Sequence, residues 1–177
     1  MGQLNTRILD GGLDAWKYIG ERLAEGTGRK VEKGDVVLQE PTGRALLWKD
    51  VDAIVAKDSV LQFVDTRSVD EYTGKEQNKK AKRAGHIPNA VFFAWTDALE
   101  IREGAPRLKS PEVTVEALKA LGIDAHKNTV LYCQSGTRSA AVYYALLQSG
   151  AFGNHVWNYD GSWAEYSRSD LPIETSL

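Results

Sequence analysis

The stretch that decides the fold is Val130-Leu131-Tyr132-Cys133-Gln134-Ser135-Gly136-Thr137-Arg138-Ser139. Its first three residues are apolar and predict a short buried strand, and the alanine-rich run 140–147 that follows predicts a helix. The chain has a single cysteine, Cys133, and it lies where this strand ends and just before the helix begins.

The loop 134–139 has the features of an anion-binding loop. Its peptide N–H groups can curl round one point, Gly136 allows the backbone to turn tightly, and the following helix adds positive potential from its dipole. Surroundings of this kind lower the pKa of a cysteine by roughly one to several units from about 8.5. The sequence therefore predicts a thiolate nucleophile at Cys133, rather than an inert cysteine in the core.

Four motifs, in chain order, resemble those of the rhodanese sulfurtransferases. The loop 133–139 is similar to the active-site loop of that family. The other three are Val64-Asp65-Thr66-Arg67 with Glu71-Tyr72, Gly85-His86-Ile87-Pro88-Asn89-Ala90, and Asp160-Gly161-Ser162-Trp163. The resemblance covers residues 45–177 and implies the α/β, rhodanese-like fold.

The pattern of apolar runs agrees with a parallel sheet of about five strands with helices on both faces. Extended segments are predicted at 36–38, 45–47, 60–64, 90–93, 130–132 and 155–157. Helices are predicted at 48–57, at 113–121 after the start signal Ser110-Pro111-Glu112, at 140–147 and from Ser162. Ligands bind beyond the carboxyl ends of strands in such sheets, where Asp65 and Cys133 both fall.

The segment 8–18 resembles the segment 158–166, which indicates an internal repeat. Proteins that resemble rhodanese often carry two tandem domains, with the catalytic cysteine in the second. We therefore expect residues 1–30 to be the tail of a preceding rhodanese domain, 31–44 a linker, and 45–177 the catalytic domain. Trp16, Tyr18 and Leu23 would then lack their core, and a separated N-terminal rhodanese domain is a possible partner. The alternative is an amphipathic N-terminal helix that packs on a single domain.

Composition argues against several classes of partner. The formal charge of −2 over 177 residues gives no long-range attraction to nucleic acid or to anionic lipid, so neither is expected. One cysteine cannot form an internal disulfide, and three scattered histidines form no metal-ligand pattern, so we expect no metal and no cofactor. With no long apolar run and no signal-peptide pattern at residues 1–5, we expect a cytoplasmic protein.

The resemblance implies a sulfurtransferase mechanism with two half-reactions. The Cys133 thiolate takes the outer sulfur from thiosulfate, and a thiol or cyanide acceptor then removes that sulfur from the Cys133 persulfide. Cys133 is thus the predicted catalytic residue. The predicted substrate-binding residues are Gln134, Ser135, Gly136, Thr137, Arg138 and Ser139, and the predicted supporting residues are Asp65, Arg67 and Glu71.

Several of these side chains have two interpretations. Arg138 can hold the anionic donor or pair with a carboxylate behind the loop, and we favour a pair with Glu71. Asp65 can tune the site or cap the next helix, and we favour the cap. Arg67 and His86 are both interpreted as structural. The charged run 76–83 is interpreted as a solvated loop rather than as an anion-attracting patch.

Three other functions remain as alternatives. Some thiosulfate-specific members of the family have lysine where this chain has Ser135, and some tandem members have arginine where it has Glu71, so 3-mercaptopyruvate is the alternative donor. A phosphatase or arsenate reductase is a second alternative, but the common phosphatase signature has five residues between cysteine and arginine, whereas four separate Cys133 from Arg138. A rhodanese-like binding or regulatory module is the third.

Overall fold

The computed structural model describes residues 7–28, 30–35, 37, 45–47, 49–51 and 61–176. Its centre is a five-stranded sheet in the order β1-β7-β6-β2-β3, and all neighbouring strands are parallel. The predicted parallel sheet of about five strands is confirmed. The strands are β1 (Ala45–Leu46), β2 (Gln62–Asp65), β3 (Val91–Phe92), β6 (Thr129–Tyr132) and β7 (Val156–Tyr159), while β4 (Leu99–Arg102) and β5 (Ala105–Leu108) form a separate antiparallel hairpin.

Five helices are described in this part of the chain. They are α1 (Gly12–Tyr18), α2 (Val69–Tyr72), α3 (Pro111–Ala120), α4 (Thr137–Ser149) and α5 (Ser162–Tyr166), with one 3₁₀ turn at Trp95–Ala98. Residues 49–51 are helical, as predicted, but the rest of the predicted helix 48–57 lies outside the described residues. The predicted strand at 36–38 also falls almost entirely outside them, and residue 37 is not in a strand.

The sheet has a hydrophobic core on each face because side chains alternate along every strand. On one face Val64 and Leu131 pack with α3 and α4. On the other face Val130 and Tyr132 pack with Trp163 of α5. All four residues of β6 are buried, so the strand that leads to Cys133 lies in the middle of the protein.

The start of α3 differs in one detail from its prediction. Ser110 occupies the N-cap position and Pro111 the first turn, but the Ser110 hydroxyl makes no capping hydrogen bond. The helix ends at Ala120, and Gly122 follows in a left-handed conformation with φ 91°. Its termination before Gly122 agrees with the sequence prediction.

The N-terminal segment is attached to the β4–β5 hairpin. Arg107 Nη1 donates to the carbonyl oxygen of Asp10 at 2.9 Å, and the N–H of Leu108 donates to Asp10 Oδ1 at 3.1 Å. Ala15 is the buried residue of α1. Its apolar neighbours are largely exposed: Trp16 by 37%, Tyr18 by 58% and, beyond the helix, Leu23 by 46%.

Candidate active site

Cys133 follows directly on β6 and is buried, with 1% of its surface exposed. The chain then turns at Gly136, whose φ is 77°, and enters α4 at Thr137. A Cβ atom at position 136 would lie 2.9 Å from the carbonyl oxygen of Asp160, a closer approach than Cβ atoms make. Glycine is therefore required here both by the backbone conformation and by the space.

The surroundings of the sulfur favour a thiolate. Burial alone raises the pKa of Cys133, but hydrogen bonds from the N–H groups of Ser139, Ser135 and Arg138 outweigh it, so the pKa lies below its ordinary value. The Ser139 hydroxyl also lies near the sulfur, yet it donates to the carbonyl oxygen of Gly136 at 3.0 Å. We therefore assign the lower pKa to the peptide N–H groups.

Ser162 holds the loop from behind. Its Oγ accepts hydrogen bonds from the N–H of Cys133 at 3.1 Å and from the N–H of Gly136 at 2.9 Å, and it donates to the carbonyl oxygen of Tyr159 at 2.7 Å. The side chain is fully buried, and the residue has a left-handed φ of 50°. Because Ser162 engages the N–H of Gly136, the cradle of N–H groups is smaller than the sequence suggested.

The next residues of α5 fix the loop carbonyls. The N–H of Trp163 donates to the oxygen of Cys133, and the N–H of Ala164 donates to the oxygen of Gln134, both at 3.0 Å. These are the first N–H groups of a helix, which need partners outside the helix. The Asp160-Gly161-Ser162-Trp163 motif is evident in the sequence, but its pattern alone does not indicate this role for the Ser162 hydroxyl.

Arg138 pairs with Glu71, as the sequence analysis favoured. Its Nη1 lies 2.7 Å from Glu71 Oε2 and its Nη2 lies 2.9 Å from Oε1, a bidentate pair. Burial raises the pKa of Glu71, but hydrogen bonds from Arg138 and from the Ser68 N–H outweigh it, so the pKa is lowered. The hydrogen bond to Glu71 raises the pKa of Arg138, and the nearby Cys133 sulfur raises it further.

Asp65 does not cap the following helix, so that prediction is wrong. Ser68 caps α2: its Oγ accepts from the Glu71 N–H at 3.2 Å, and Glu71 Oε2 accepts from the Ser68 N–H at 3.2 Å. Asp65 Oδ1 is instead bound by the N–H and the Nε of Arg67, each at 3.0 Å. The Asp65 carboxylate is therefore bound by Arg67, which lies two residues further along the chain.

Arg67 is structural, as predicted. It is 1% exposed, it donates to the carbonyl oxygen of Gly85 at 2.7 Å, and its guanidinium lies 4.6 Å from the centre of the Trp163 ring. Burial lowers the pKa of Arg67, but its hydrogen bond and charge interaction with Asp65 raise it above the ordinary value. The Asp65–Arg67 pair is part of the packed interior that supports the loop.

His86 is also structural, as predicted. It is 1% exposed, its Nδ1 lies 2.8 Å from the carbonyl oxygen of Tyr72, and the two rings stack with their centres 3.6 Å apart. These contacts hold the Gly-His-Ile-Pro turn against α2.

A cleft of about 410 Å³ opens beside the cysteine loop. Residues from α2, from the loop 76–80 and from the cysteine loop line it: Glu71, Glu76, Asn78, Lys80, Gln134, Ser135 and Arg138. Part of the charged run 76–83 therefore lines this cleft, and its charged residues Glu76, Lys79, Lys80 and Lys82 are exposed, which is in keeping with the sequence interpretation of a solvated loop. The sequence predicted Gln134, Ser135 and Arg138 at the site but missed the three residues from 76 to 80. Thr137 and Ser139 lie outside this cleft lining, and Thr137 is exposed.

No group of three or more potential metal ligands occurs among the described residues. Nor does the part of the chain with assigned structure contain a helix of sufficient length and apolar character to cross a membrane.

Comparison with known proteins agrees with this architecture. A relative from Saccharopolyspora erythraea, provisionally named a thiosulfate sulfurtransferase, is 35% identical over 182 residues, which cover 98% of this chain and 62% of the relative. The thiosulfate sulfurtransferase of Corynebacterium glutamicum is 31% identical over 188 residues, covering 98% of this chain and 58% of that protein. The chain thus spans about three fifths of the length of these curated relatives.

Solved structures show the same fold. A structure of an EanB variant in complex with ergothioneine superposes with a TM-score of 0.78 at 22% identity, over 97% of this chain and 41% of the other. The anaerobic ergothioneine biosynthesis enzyme from Chlorobium limicola superposes with a TM-score of 0.76 at 22% identity, with the same coverage. Residues 47–169 match the rhodanese-like domain, and with the cysteine loop and parallel sheet described above this chain belongs to the rhodanese family.

Proposed function

We propose that this chain is the catalytic part of a thiosulfate sulfurtransferase, which transfers a sulfane sulfur to a thiophilic acceptor through a persulfide on Cys133. The observation that carries the proposal is the group of three N–H donors around the buried sulfur, which lowers the pKa of Cys133. The same donors would stabilise the persulfide anion, which carries one negative charge at nearly the same place.

In the first half-reaction the Cys133 thiolate attacks the outer sulfur of thiosulfate. A new S–S bond forms, the S–S bond of thiosulfate breaks, and its electron pair leaves with sulfite. In the second half-reaction an acceptor, cyanide or a thiolate, attacks the outer sulfur of the persulfide. The electron pair of the cleaved S–S bond returns to Cys133, so the cycle closes without an external oxidant or reductant.

We assign the stabilisation of the persulfide to the N–H groups of Ser135, Arg138 and Ser139, which point at the sulfur. Gly136 is assigned to the turn because Ser162 engages its N–H group. The Arg138 side chain is assigned mainly to holding the loop in place, since Glu71 binds both of its terminal nitrogens.

The pairing of Arg138 with Glu71 argues against a phosphatase. An arginine binds phosphate oxygens best through two parallel N–H bonds. Here the guanidinium is already bound on two nitrogens, and four residues rather than five separate it from Cys133. Hydrolysis of an aryl phosphate by the native protein would contradict this assignment.

The proposal is tested by the intact mass of the protein before and after thiosulfate, with Cys133→Ser as the matched control. The expected result is a gain of one sulfur atom in the native protein only, removed by cyanide with formation of thiocyanate. If the native protein gains no sulfur from thiosulfate but gains one from 3-mercaptopyruvate, then 3-mercaptopyruvate replaces thiosulfate as the proposed donor. Absence with both donors would favour a binding module.

We further propose a tandem arrangement, with residues 1–30 as the tail of a preceding rhodanese domain, 31–44 as the linker and 45–177 as the catalytic domain. The repeated Asp-Gly segment supports it, because Gly12 at the start of α1 and Ser162 at the start of α5 share left-handed φ angles of 54° and 50°. The exposed apolar side chains of α1 are the surface that the body of such a domain would cover. A cytoplasmic location completes the proposal, since the chemistry needs a reduced Cys133.

A further inference from the structure

The wall of the cleft opposite the cysteine loop is a well-defined turn rather than a loose loop. The N–H of Glu76 donates to the oxygen of Asp70 at 2.9 Å, and the N–H of Lys80 donates to Asn78 Oδ1 at 3.0 Å. Ala81, the next residue, is buried, and its N–H donates to the oxygen of Asn78 at 2.9 Å. The backbone of Lys80 is thus held at the rim of the cleft.

The charges around the cleft leave one cation unpaired. Glu71 and Arg138 neutralise each other, at 2.7 Å between Nη1 and Oε2. Glu76 and Lys80 are the other two charged side chains in the lining. Among the described residues, no carboxylate lies within salt-bridge distance of the Lys80 ammonium group, so Lys80 is the cation of this lining whose charge no ion pair offsets.

Gln134 provides the second observation. Only 6% of this residue is exposed, yet neither Nε2 nor Oε1 of its side chain has a hydrogen-bond partner in the described part of the chain. A buried amide without partners is unfavourable, and such groups in native proteins usually have a ligand or water as partner. Gln134 also lines the cleft and is the residue directly after the nucleophile.

We propose that Lys80 and Gln134 form an oxyanion subsite, which binds the anionic end of the sulfur donor while its outer sulfur meets Cys133. This inference rests on the proposed function and names the class of donor: a small molecule with a terminal oxyanion, of which the sulfonate group of thiosulfate is the one we assign. Lys80 supplies the charge, and Gln134 Nε2 donates a hydrogen bond to an oxygen of the donor.

The test compares the alkylation rates of Cys133 by iodoacetate, which is anionic, and by iodoacetamide, which is neutral. The variants are Lys80→Gln, the matched control Lys79→Gln, which removes an exposed lysine outside the cleft lining, and Glu76→Gln. In Lys80→Gln the iodoacetate rate should fall about five-fold at low salt, and the iodoacetamide rate should not change. Lys79→Gln should change neither rate by more than about two-fold, since its charge is screened. Glu76→Gln should raise the iodoacetate rate.

The role of the Gln134 amide is tested with sulfate, an anion that does not react with Cys133. Sulfate should protect Cys133 of the native protein against iodoacetamide, and the protection should weaken in Lys80→Gln and in Gln134→Leu. In persulfide formation both variants should raise KM for thiosulfate more than they lower kcat, because they remove a contact with the unreacted donor. A parallel series with 3-mercaptopyruvate separates the donors, since a larger effect on that carboxylate than on thiosulfate would overturn the assignment to a sulfonate.

The two proposals fail in different ways. If Lys80→Gln lowers the iodoacetate rate but the native protein gains no sulfur from any donor, the subsite stands and the proposed activity falls. If the native protein forms the persulfide but Lys80→Gln behaves like Lys79→Gln in both assays, the subsite is overturned and the activity stands. Unchanged iodoacetamide rates confirm that the variants keep a folded site.

Discussion

Replacing Ser162 by alanine removes a single oxygen that binds two N–H groups of the cysteine loop. The N–H groups of Cys133 and Gly136 are buried, and both donate to Ser162 Oγ, at 3.1 and 2.9 Å. A buried donor left without an acceptor costs about 1–3 kcal/mol. Because one oxygen serves both donors, we expect Ser162→Ala to lower the free energy of unfolding by about 2–4 kcal/mol.

Replacing Ser162 by glycine separates the effect of losing the hydroxyl from the effect of the backbone conformation. Ser162 has φ 50°, a left-handed conformation that costs an L-residue with a side chain about 1–2 kcal/mol. Ser162→Gly loses the same hydrogen bonds as Ser162→Ala but relieves this strain. It should therefore be more stable than Ser162→Ala by about 1 kcal/mol, less the greater entropy of glycine in the unfolded chain.

The effect on the nucleophile is measured by the alkylation rate of Cys133 with iodoacetamide between about pH 5 and pH 10, a range that spans the ordinary cysteine pKa. Without its clamp the loop should lose the alignment of the N–H groups of Ser135, Arg138 and Ser139, which now lower the pKa of Cys133. We expect the midpoint to rise by about one unit, equivalent to 1.36 kcal/mol. Both Ser162 variants should show this rise in the midpoint of the alkylation rate.

The pH dependence of stability gives a second readout with a defined sign. A cysteine whose pKa is lowered in the folded state adds stability above its unfolded pKa, near 8.5, and loses it as the pH falls through the folded value. Ser162→Ala should therefore destabilise the protein more at pH 9 than at pH 6, roughly the two sides of this window. Unchanged or lower alkylation midpoints in both Ser162 variants would refute the reasoning, because the freed N–H groups would then serve the sulfur equally well.

Three further sets of substitutions and one pH titration test the framework. Glu71→Gln should lower stability by about 1–3 kcal/mol and reduce persulfide formation, because it weakens the bidentate pair that holds the loop, whereas the exposed neighbour Asp70→Asn should change neither. In the native protein the stability contributed by the Glu71–Arg138 pair should be lost as the pH falls below the ordinary carboxyl range, since the pKa of Glu71 is lowered. A free energy of unfolding in urea that stays constant between pH 7 and roughly pH 3 would contradict this expectation. Asp65→Asn should cost about 3–5 kcal/mol in urea unfolding because it leaves a buried guanidinium without its charge partner, and a loss below about 1 kcal/mol would argue against the pair. The double substitution Leu13→Ser and Ile19→Ser, at side chains that are 54% and 63% exposed, should reduce binding of an apolar dye without lowering Tm. A lower Tm would favour the alternative in which α1 packs on a single domain.

The centre of the fold was predictable because its signals are local. An apolar run gives β6, Gly136 gives the turn, and the alanine-rich segment gives α4, all within twenty residues of one another. The pairing of Arg138 with Glu71 was also within reach, since Glu71 belongs to the motif that follows β2, the strand beside β6. The parallel direction of the strands follows from the alternation of strands and helices, whereas their order, β1-β7-β6-β2-β3, does not.

Some local signals were present in the sequence but not used. Ser68 and Glu71 form the Ser-x-x-Glu pattern of a capping box, which identifies the start of α2 and removes the need for Asp65 as a cap. Glu103 and Gly104, with φ of 52° and 68°, form the two-residue turn of the β4–β5 hairpin. Glu-Gly is a weaker turn signal than Asn-Gly, and charged residues on both strands hide the alternation.

The cleft could not be predicted from local pattern because distant residues build it. The end of the charged run is bound by the last part of the chain: Arg83 donates to the carbonyl oxygens of Ser167 and Leu171, which are 84 and 88 positions away. These contacts fix the end of the segment whose earlier residues line the cleft beside the cysteine loop. A sequence of lysines looks the same whether its backbone is fixed in this way or free, so the position of Lys80 depends on these distant contacts as well as on the local turn at Asn78.

The two Asp-Gly segments differ in a way that links the backbone to the chemistry. Gly12 and Ser162 hold the same left-handed conformation at the start of their helices, and glycine adopts it without strain. Serine at 162 carries a strain that glycine would avoid, so its presence needs a compensating interaction, and the two N–H bonds from the cysteine loop provide one. The Asp-Gly segment that lies behind Cys133 has a hydroxyl at this position. The N-terminal Asp-Gly segment, which does not lie behind Cys133, has none. We infer that the Ser162 hydroxyl aligns the loop donors, at the expense of the local backbone.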